Sequence, residues 1–422
     1  MDNTLPIGTA RIGQLYDDAE DTPHIAAQLR RDSDGVHLEL SLLADVTDYH
    51  AGWFRRRRLP RFLAFRDTSG SVALTGLRFE SYNRSLAWGL ACGTIRVDQA
   101  VIGADVADYS SLDGLRSEIA GMARWSGLSS VTEDRAHTEE GRLRSFVITA
   151  ESQDAVAVSD DASVLLTPYF SVSPDDANGR TLIQEQILVE TQARPAAPWD
   201  EHLRTHRALQ DLLSLAYWHP CALRVTAAQR LDDPYRTMDD QDLGSRWLEA
   251  IVTRAGRTMP DHDIELPAHA QPLFAFSDIG PRGVSQWLRE YETLGRPIWP
   301  LAALLFSGGT AVQADLLQVA TALEALGHQI VGGSKTFVDY LLAVADAVGP
   351  AVVTAVCGPD VREWAQGFNT AYKGVKHADK AATDAQVAWD MLTSGRLLVQ
   401  SWLGVHLGAD LVQLAQRAAA PA

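Results

Sequence analysis

The sequence predicts an α+β protein in which a β-rich first part is followed by a mainly α-helical second part. In the first half, apolar runs that are continuous or have a period of two are separated by turn-forming residues, as antiparallel strands require. In the last third, apolar residues recur at three- and four-residue spacings, which is typical of packed helices. The chain has 422 residues, which is long enough for two domains.

The strands of the first part are indicated by the runs GVHLELSLL, SVALTGLRF and RLRSFVITA, which lie between turn formers such as DSDG and DTSG. One helix is expected to interrupt them, in SLDGLRSEIAGMARWSGL. The spacing of its apolar residues is helical, and the residues concerned are Leu115, Ile119, Met122 and Trp125. We expect this helix to pack on the sheet.

The main domain boundary is predicted in QARPAAPWD, at residues 192–200, because this segment has two prolines and no apolar period. We therefore expect a β-rich sensing or regulatory domain at 1–195 and a mixed α/β connecting segment at 200–283. An α-helical domain is expected at 284–422. Within the connecting segment, HLRTHRALQDLLSLAYW is helical in pattern, while CALRVTAA and RWLEAIVTRA resemble strands.

Four amphipathic segments predict a four-helix array in the last domain, namely TAVQADLLQVATALEALG, SKTFVDYLLAVADAVG, GPDVREWAQGFNTAYKGVKH and TDAQVAWDMLTSGRLLVQSWLGV. Two of these segments begin with the spacing of a capping box. Thr310 stands three residues before Gln313, and Thr383 stands three residues before Gln386. Short connections between the segments favour antiparallel neighbours.

Composition restricts the function. The formal net charge of −17 argues against nucleic-acid binding over the whole surface, so any such contact has to be local. The cysteines Cys92, Cys221 and Cys357 are scattered, which indicates neither a disulfide framework nor a thiolate metal site. We expect a cytoplasmic protein with no membrane segment, no metal and no cofactor, since no apolar run, P-loop or histidine spacing points to them.

The segment FNTAYKGVKHADK, from Phe368 to Lys380, holds three of the four lysines of the protein. If Pro359 to Lys380 forms one helix, an apolar stripe runs along Trp364, Phe368, Tyr372 and Val375. A separate polar face then carries Arg362, Asn369, Lys373, Lys376, His377 and Lys380.

Such a polar face has two interpretations. The plain one is a solvated basic surface. The functional one is favoured because lysines cluster around a histidine in a lysine-poor, acidic chain. A neutral imidazole with a pKa near ~6.5 can take a proton from an RNA 2′-hydroxyl, and ammonium groups can offset the charge that develops on the phosphate. The pattern therefore predicts local RNA binding with cleavage that needs no metal.

The pair LLQVATALEALG and FNTAYKGVKHADK, on two helices of a four-helix array, resembles HEPN domains (higher eukaryotes and prokaryotes nucleotide-binding), many of which are metal-independent ribonucleases that work as dimers. The first half, with LRSEIAGMARWSGL before HLRTHRALQDLLSLAYWHPC, looks like the N-terminal domain of the ApeA family of bacterial anti-phage defence proteins. That family joins such a domain to a C-terminal HEPN domain. The resemblance implies an abortive-infection ribonuclease that is a homodimer through its helical domain, with a phage-derived trigger or a regulatory protein as a further partner.

The resemblance also implies roles for individual residues. His377 is expected to transfer the proton, Lys373 and Lys376 to stabilise the phosphate, and Asn369 to position the RNA on the same face. Lys380 and Arg362, on the same polar face, are expected to contact the RNA backbone. Glu324, in ATALEALG, matches an acidic residue often found on the companion helix of such domains. It either caps or solvates that helix or orients the histidine or a lysine.

The chain departs from the HEPN pattern at one place. Thr370, Ala371 and Tyr372 stand where the family usually carries an arginine before its histidine. Lys373 lies nearer, with three intervening residues, but a lysine lacks the bidentate fork of an arginine. Two hypotheses stay open: a ribonuclease in which lysine replaces the arginine, or a non-catalytic module that binds RNA, a nucleotide or an acidic protein.

A second basic cluster stands in WFRRRRLPRF, where Arg55, Arg56, Arg57 and Arg58 follow Trp53 and Phe54. Arginines beside aromatic residues are typical of grooves that bind single-stranded nucleic acid. Protection of an edge strand, or a loop that docks a partner, explains the cluster equally well.

Overall fold

The computed structural model has the predicted α+β architecture, with a β-rich N-terminal region and a helical C-terminal region. It describes residues 3–17, 23–44, 48–85, 87–175, 180–237, 239, 241–257, 266–308 and 311–419. The strands are β1 Ala10–Tyr16, β2 Ile25–Asp32, β3 Gly35–Leu43, β4 Phe62–Asp67, β5 Gly70–Ser85, β6 Leu90–Ile102, β7 Ser111–Ile119, β8 Val131–His137, β9 Leu143–Ala150, β10 Val156–Ala157, β11 Val164–Asp175, β12 Arg180–Pro198, β13 Leu223–Gln229, β14 Pro234–Arg236, β15 Asp242–Ser245 and β16 Leu248–Val252. The helices are α1 Tyr49–Arg56, α2 Met122–Ser126, α3 Trp199–Tyr217, α4 Phe276–Glu290, α5 Gly295–Leu305, α6 Val312–Val331, α7 Phe337–Val348, α8 Pro350–Cys357, α9 Val361–Lys376, α10 Ala385–His406 and α11 Leu411–Ala418.

The chain forms two compact units. Unit 1 consists of Met1–Glu118, Val189–His206 and Arg224–Gly256. Unit 2 consists of Ile119–Leu188, Arg207–Leu223 and Arg257–Ala422. Among the described helices, none combines the length and the apolar character that crossing a lipid bilayer needs.

Unit 1 is built around a closed barrel of six antiparallel strands. The strands follow the order β6, β3, β2, β1, β4 and β5, and β5 pairs with β6 to close the ring. Alternate side chains point inward, as the period of a strand requires, so Leu29, Leu38, Phe65 and Ile95 are fully buried. Closure leaves these strands no free edge inside the ring.

Helix α1 packs on this barrel through Phe54. The ring of Phe54 stacks on Tyr82 of β5 with centroids 5.4 Å apart. It also covers Gly93 of β6, where an added Cβ would lie 2.3 Å from the ring. Asp48 caps the helix by accepting a hydrogen bond from the Ala51 backbone N–H. A bulky aromatic opposite a glycine therefore fixes α1 against the barrel.

The helix predicted at residues 111–128 is wrong for most of its length. Residues Ser111–Ile119 form strand β7, and only Met122–Ser126 form a helix. Leu115, Ser117 and Ile119 are buried at alternate positions, as one face of a strand requires, so the helical spacing of the apolar residues was accidental. The strands predicted in the first part, at GVHLELSLL, SVALTGLRF and RLRSFVITA, are confirmed as β3, β5 and β9.

The segment at 192–200 is not an irregular linker. Strand β12 continues to Pro198, and α3 begins at Trp199. Thr191, Ala197 and Trp199 are buried, and the two prolines are exposed, a position that strands tolerate where no ladder hydrogen bond is needed. The Trp199 indole N–H donates to the Tyr109 carbonyl at 2.6 Å, which anchors the start of α3 in unit 1. The segment is therefore the end of a strand followed directly by a helix, and the domain boundary placed there stays a prediction.

In unit 1, α3 carries a buried hydrogen-bond chain with a defined direction. His202 Nε2 must donate to the Leu112 carbonyl at 3.1 Å, so its Nδ1 accepts from the Thr191 hydroxyl at 2.8 Å. The same hydroxyl then accepts from His206 Nε2 at 2.9 Å, and His206 Nδ1 accepts from the Ser117 hydroxyl at 2.5 Å. Both imidazoles are neutral in this arrangement, because burial away from water disfavours the charged ring and lowers the pKa of His202 and of His206.

In unit 2, the continuation of α3 buries further polar groups, each with a partner. The Asp211 carboxylate accepts from Arg257 Nε at 2.8 Å and from the Tyr291 hydroxyl at 2.6 Å. The Gln210 amide donates to the carbonyls of Cys221 and Arg257 at 2.9 and 3.0 Å. The side chain of Gln210 also accepts from the Arg257 backbone N–H at 2.8 Å. These bonds satisfy groups that would otherwise be costly to bury.

The helices of unit 2 include α6, α7, α9 and α10, which pack against one another as the predicted four-helix array. Helices α6 and α7 cross closely at Gly327, where an added Cβ would lie 2.4 Å from the Cβ of Tyr340. Helices α9 and α10 meet where Gly395 faces the Phe368 ring, with an added Cβ 2.7 Å away. Glycine is needed at both positions because the space is already filled.

Of the two predicted capping boxes, the one at Thr383 is wrong and the one at Thr310 begins outside the described residues. Asp384, not Thr383, caps α10 and accepts hydrogen bonds from the backbone N–H groups of Gln386 and Val387. Thr383 stands one residue before the cap position, and its hydroxyl donates to the Ala371 carbonyl instead. Thr310 lies outside the described residues, and the residue before α6 is Ala311, whose side chain forms no cap.

The buried chain of α3 predicts acid-sensitive folding. Burial, reinforced by the neighbouring His202, lowers the pKa of His206 to about 3, whereas an unfolded histidine titrates near ~6.5. Between these values the unfolded state binds a proton that the folded state does not bind. The free energy of unfolding should therefore fall with decreasing pH in this window, by up to about 1.4 kcal/mol per pH unit from this residue. Urea unfolding at several pH values measures the slope.

The matched comparison is between His206→Gln and His137→Gln, since His137 is exposed. The first variant should flatten the pH dependence between pH 6.5 and 4, and the second should leave it unchanged. Equal slopes for the wild type and His206→Gln would contradict the assignment of a neutral buried imidazole.

Candidate functional site

Helix α9 carries the lysine-rich segment, and its apolar stripe is confirmed at its first positions. The helix begins after Asp360, whose side chain accepts from the backbone N–H groups of Arg362 and Glu363 at 3.0 Å each. Trp364 and Phe368 are buried, and the Trp364 indole donates to Ser394 Oγ of α10 at 3.0 Å. The stripe therefore holds α9 in the bundle and turns its other face outward.

The expectation of one helix up to Lys380 is wrong. The helix ends at Lys376, and His377 has extended backbone angles of φ −117° and ψ 115°. The His377 backbone N–H still donates to the Lys373 carbonyl at 3.0 Å and closes the last turn. His377 and Lys380 consequently lie beyond the helix, not on its face, and Lys380 pairs with Asp379 at 3.3 Å on the exposed surface.

The segment after the helix folds back onto its last turns. The Thr383 hydroxyl donates to the Ala371 carbonyl at 2.8 Å. At Gly374 this segment passes so close to the helix that an added Cβ would lie 2.4 Å from Thr383 Oγ1 and 2.7 Å from the Ala381 carbonyl oxygen. Gly374 and Thr383 therefore determine where the segment containing His377 leaves the helix.

Lys376 is the lysine with the most defined surroundings. Its Nζ donates to the Tyr372 hydroxyl at 2.7 Å and lies 4.9 Å from the centroid of that ring. The hydrogen bond to Tyr372, assisted by the charge of Glu324 on α6, raises the pKa of Lys376. Glu324 is exposed, and its electrostatic contact with Lys376 brings the acidic and basic groups of α6 and α9 to one surface.

The remaining groups of this surface are less constrained. Lys373 and His377 are exposed, and their side chains make no hydrogen bond or ion pair with any residue that the structure describes. Asn369 is half-buried one helical turn before Lys373, so it lies on the same side of α9. We call Asn369, Lys373, Lys376, His377 and Glu324 the α9 surface.

Arg362 does not belong to the α9 surface. It is exposed in the first turn of the helix, where its charge acts on Asp339 of α7. His377 stands fifteen positions after Arg362, which corresponds to a rise of roughly 22 Å along a helix. The two residues therefore cannot grip the same phosphate group.

The arginine run lies on α1 in unit 1, where helix α1 ends at Arg56 and Arg57 adopts a left-handed conformation with φ 50°. The run thus stands at the end of a helix and is not itself part of a strand. The adjacent aromatic residues Trp53 and Phe54 are buried and cannot stack on bases. The Arg57 guanidinium lies 5.2 Å from the Phe79 ring centroid and is directed towards the barrel.

Two features of possible chemical interest had no recognised sequence signal. Arg396, on α10, has a buried Nε without a hydrogen-bond partner among the described residues, and burial lowers the pKa of its guanidinium. The second feature is the buried His202 and His206 pair, which stands four residues apart on one face of α3. The spacing is visible in the sequence as HLRTH, residues 202–206, but it does not show that both histidines face inward.

One group in the described chain has metal-ligand spacing, formed by Asp32, Asp34 and His37 within 4.8 Å of one another. His37 Nε2 lies 3.3 Å from Asp32 and 3.2 Å from Asp34, while Nδ1 lies 2.9 Å from Glu80. Burial opposes the charged ring, but these three carboxylates outweigh it and raise the pKa of His37. Because carboxylates contact both ring nitrogens, His37 is best explained as an imidazolium held by ion pairs.

A comparison with protein families identifies the N-terminal part of the chain. Residues 10–287 match the family described as ApeA N-terminal domain 1, and this match covers more than half of the 422-residue chain. The barrel and the segment up to α4 therefore define a protein of bacterial anti-phage defence. The chain belongs to the ApeA family. Neither the curated proteins nor the solved structures contain a match to it.

The contact at Gly374 predicts a sensitivity that a second glycine of the same helix does not share. Gly374→Ala should destabilise unit 2 by about 1–3 kcal/mol, because the new methyl group overlaps Thr383 and the Ala381 carbonyl. Gly367→Ala meets nothing within 4 Å and should be neutral or stabilising by up to about 1 kcal/mol. Thermal unfolding of both variants measures the difference, and equal melting temperatures would contradict the close approach.

Proposed function

We propose that this ApeA-family protein defends bacteria by cleaving RNA, and that the α9 surface of unit 2 is the site of cleavage. The observation that carries the proposal is the convergence of Lys373, Lys376 and His377 at the end of α9, with Glu324 of α6 beside them. The family match supports the defence role, and the sequence resemblance of α6 and α9 to HEPN helices supports the chemistry.

The proposed mechanism uses the groups of this surface in separate roles. His377 accepts the proton of the RNA 2′-hydroxyl as that oxygen attacks the adjacent phosphorus and displaces the 5′-oxygen of the next nucleotide. The departing 5′-oxygen takes a proton from water, and His377 then releases its proton to solvent. Lys376 and Lys373 offset the negative charge of the pentavalent phosphate. Asn369, one turn earlier, positions the nucleotide. The products are a 2′,3′-cyclic phosphate and a free 5′-hydroxyl.

The exposure of His377 bears on how the site is completed. A catalytic imidazole is normally oriented by a second group, and the described residues of one chain provide none. We propose that a second copy supplies it, in a homodimer formed through the helical bundle. Val387 and Trp389, in the first turns of α10, are 45% and 50% exposed and offer an apolar surface for this contact.

A second function is favoured by the same observation. If nothing orients His377, the α9 surface is a non-catalytic module that holds RNA, a nucleotide or an acidic protein. The lysines then act by charge alone, which suits phosphate contacts that weaken with salt. The Lys376 hydrogen bond to Tyr372 serves either function, because it fixes the direction of the ammonium group.

The ribonuclease proposal predicts that the full-length protein cleaves RNA in the presence of EDTA. His377→Ala should lower the cleavage rate at least about 100-fold, as removal of a general base does, while leaving the melting temperature unchanged because the side chain is exposed. His269→Ala, at another exposed histidine of unit 2, is the control and should retain full activity. Gel electrophoresis of labelled RNA gives the rates, and mass spectrometry identifies the cyclic phosphate.

The lysine variants separate the two functions. Lys373→Ala should weaken cleavage and RNA binding together, and Lys373→Arg should restore both, since a guanidinium can hold a phosphate with two hydrogen bonds. Unchanged cleavage in His377→Ala would contradict the mechanism. RNA binding that depends on the lysines, without cleavage by the wild type, would establish the non-catalytic module instead.

The dimer proposal predicts a mass that depends on α10. Multi-angle light scattering should give twice the chain mass of 46.0 kDa for the wild type and a single chain mass for Trp389→Glu. Val412→Glu alters an apolar residue of α11 that is 59% exposed and should leave the dimer intact. A monomeric wild type at micromolar concentration would refute the dimer, as would a Trp389→Glu protein that remains dimeric.

A further inference from the structure

The arginine run of α1 lines a pocket in unit 1. The pocket has a volume of about 470 Å³, and its walls include Tyr49, Trp53, Arg55, Arg56 and Arg58. Small-molecule sites in proteins are typically concave spaces of roughly 300–1,000 Å³. The arginines thus face a space of the size that holds one small organic ligand, although the aromatic residues beside them in the sequence are buried.

Two guanidinium groups in this wall have no carboxylate partner among the described residues. Arg56 and Arg58 make no hydrogen bond or ion pair with side chains in the part of the chain that the structure describes. In the same unit, Arg11 and Arg116 pair with Asp67 and Glu190 at 2.6 and 2.8 Å. A protein with a net charge of −17 has ample carboxylates for its arginines. Two neighbouring guanidinium groups left without acids in one concavity therefore point to an anionic ligand.

The acidic residues of the wall do not cancel this charge. Asp48 Oδ1 accepts from the Ala51 backbone N–H at 2.8 Å, and Oδ2 accepts from the Leu43 backbone N–H at 3.1 Å. Its carboxylate is thereby committed to capping α1. The other acid, Asp17, accepts a hydrogen bond from the Tyr49 hydroxyl at 3.4 Å. Both carboxylates keep their charge, so three arginines and two acids leave the described wall with a formal charge of +1, and the excess lies on Arg56 and Arg58.

An aromatic surface adjoins the arginines. Tyr49 is 48% exposed, and its ring meets Trp53 at a centroid distance of 5.9 Å and an angle of 74°. This edge-to-face contact holds the tyrosine while leaving part of the ring surface in solvent. An exposed aromatic face next to guanidinium groups is the arrangement that accommodates a base together with its phosphate.

We propose that this pocket binds a nucleotide, with the phosphate held by Arg56 and Arg58 and the base stacked on Tyr49. The nucleotide is either free in solution or the phosphorylated end of a single RNA strand, because both present the same chemistry. The proposal does not depend on ribonuclease activity, which is assigned to unit 2. Under this proposal, unit 1 has a ligand-binding site of its own.

The test is isothermal titration calorimetry of the full-length protein with ATP, AMP, adenosine, inorganic phosphate and a short 5′-phosphorylated RNA with 2′-O-methyl groups. At least one phosphorylated nucleotide should bind, and adenosine should bind at least about tenfold more weakly, because it lacks the charged group. If only the RNA binds, the ligand is a strand end. If none of the phosphorylated compounds binds, the proposal is overturned.

The variants assign the binding to the pocket. Arg56→Ala combined with Arg58→Ala should weaken nucleotide binding at least about tenfold. Arg57→Ala is the matched control, since that side chain faces Phe79 and does not line the pocket. Tyr49→Leu should weaken nucleotide binding but not any binding of inorganic phosphate. Circular dichroism confirms that each variant is folded, and equal losses in Arg57→Ala and the double variant would refute the assignment.

Discussion

Helix α3 imposes the constraint on which much of the architecture depends, because it buries polar side chains along its length and each of them needs a partner. In unit 1, His202 and His206 are satisfied through Thr191, Ser117 and a backbone carbonyl. In unit 2, Asp211 and Gln210 are satisfied by Arg257, Tyr291 and Cys221. A buried donor or acceptor without a partner costs about 1–3 kcal/mol, so these bonds fix which strands and loops can surround the helix. The same demand explains why Gln400 of α10 donates to the carbonyl of Leu215 at 2.7 Å.

The α9 surface follows from a different constraint, which is close backbone approach. The apolar stripe holds α9 against α10, where Gly395 leaves room for the Phe368 ring. Gly374 then allows the segment after the helix to return over its last turn, and Thr383 fastens it there. The lysines that remain outside are held by little more than Tyr372 and Glu324. A surface of this kind contributes charge and an exposed imidazole, and the proposal that a second copy completes the site follows from this exposure.

Sequence patterns predicted the parts of the molecule that are governed by periodicity. Apolar residues recur with a period of two in the barrel strands and with a helical period in α3 and the four packed helices. The resemblance to the ApeA family is confirmed by the match over residues 10–287. Periodicity failed where two periods coincide, as in residues 111–128, since Leu115 and Ile119 fit both a helix and a strand. Periodicity also failed at the ends of individual elements. The proline-containing end of β12 looked like a linker, and the helix expected to reach Lys380 stops at Lys376. Local sequence does not contain the tertiary contacts, such as that of Thr383 with Ala371, that decide those ends. The closed ring of the barrel depends on long-range strand pairing and had no local signal, and the arginine run beside it gave no sign of a pocket wall formed by a helix.

The account rests on the claim that RNA is engaged at the end of α9, and photochemical cross-linking tests this most directly. Full-length protein would be irradiated with RNA that carries 4-thiouridine and 2′-O-methyl groups, which prevent attack by the 2′-hydroxyl and preserve the bound complex. Mass spectrometry would then locate the modified peptides. The account predicts cross-links within residues 369–380, lost when Lys373 and Lys376 are both replaced by alanine. Cross-links that avoid this segment, or that persist in the double variant, would contradict it.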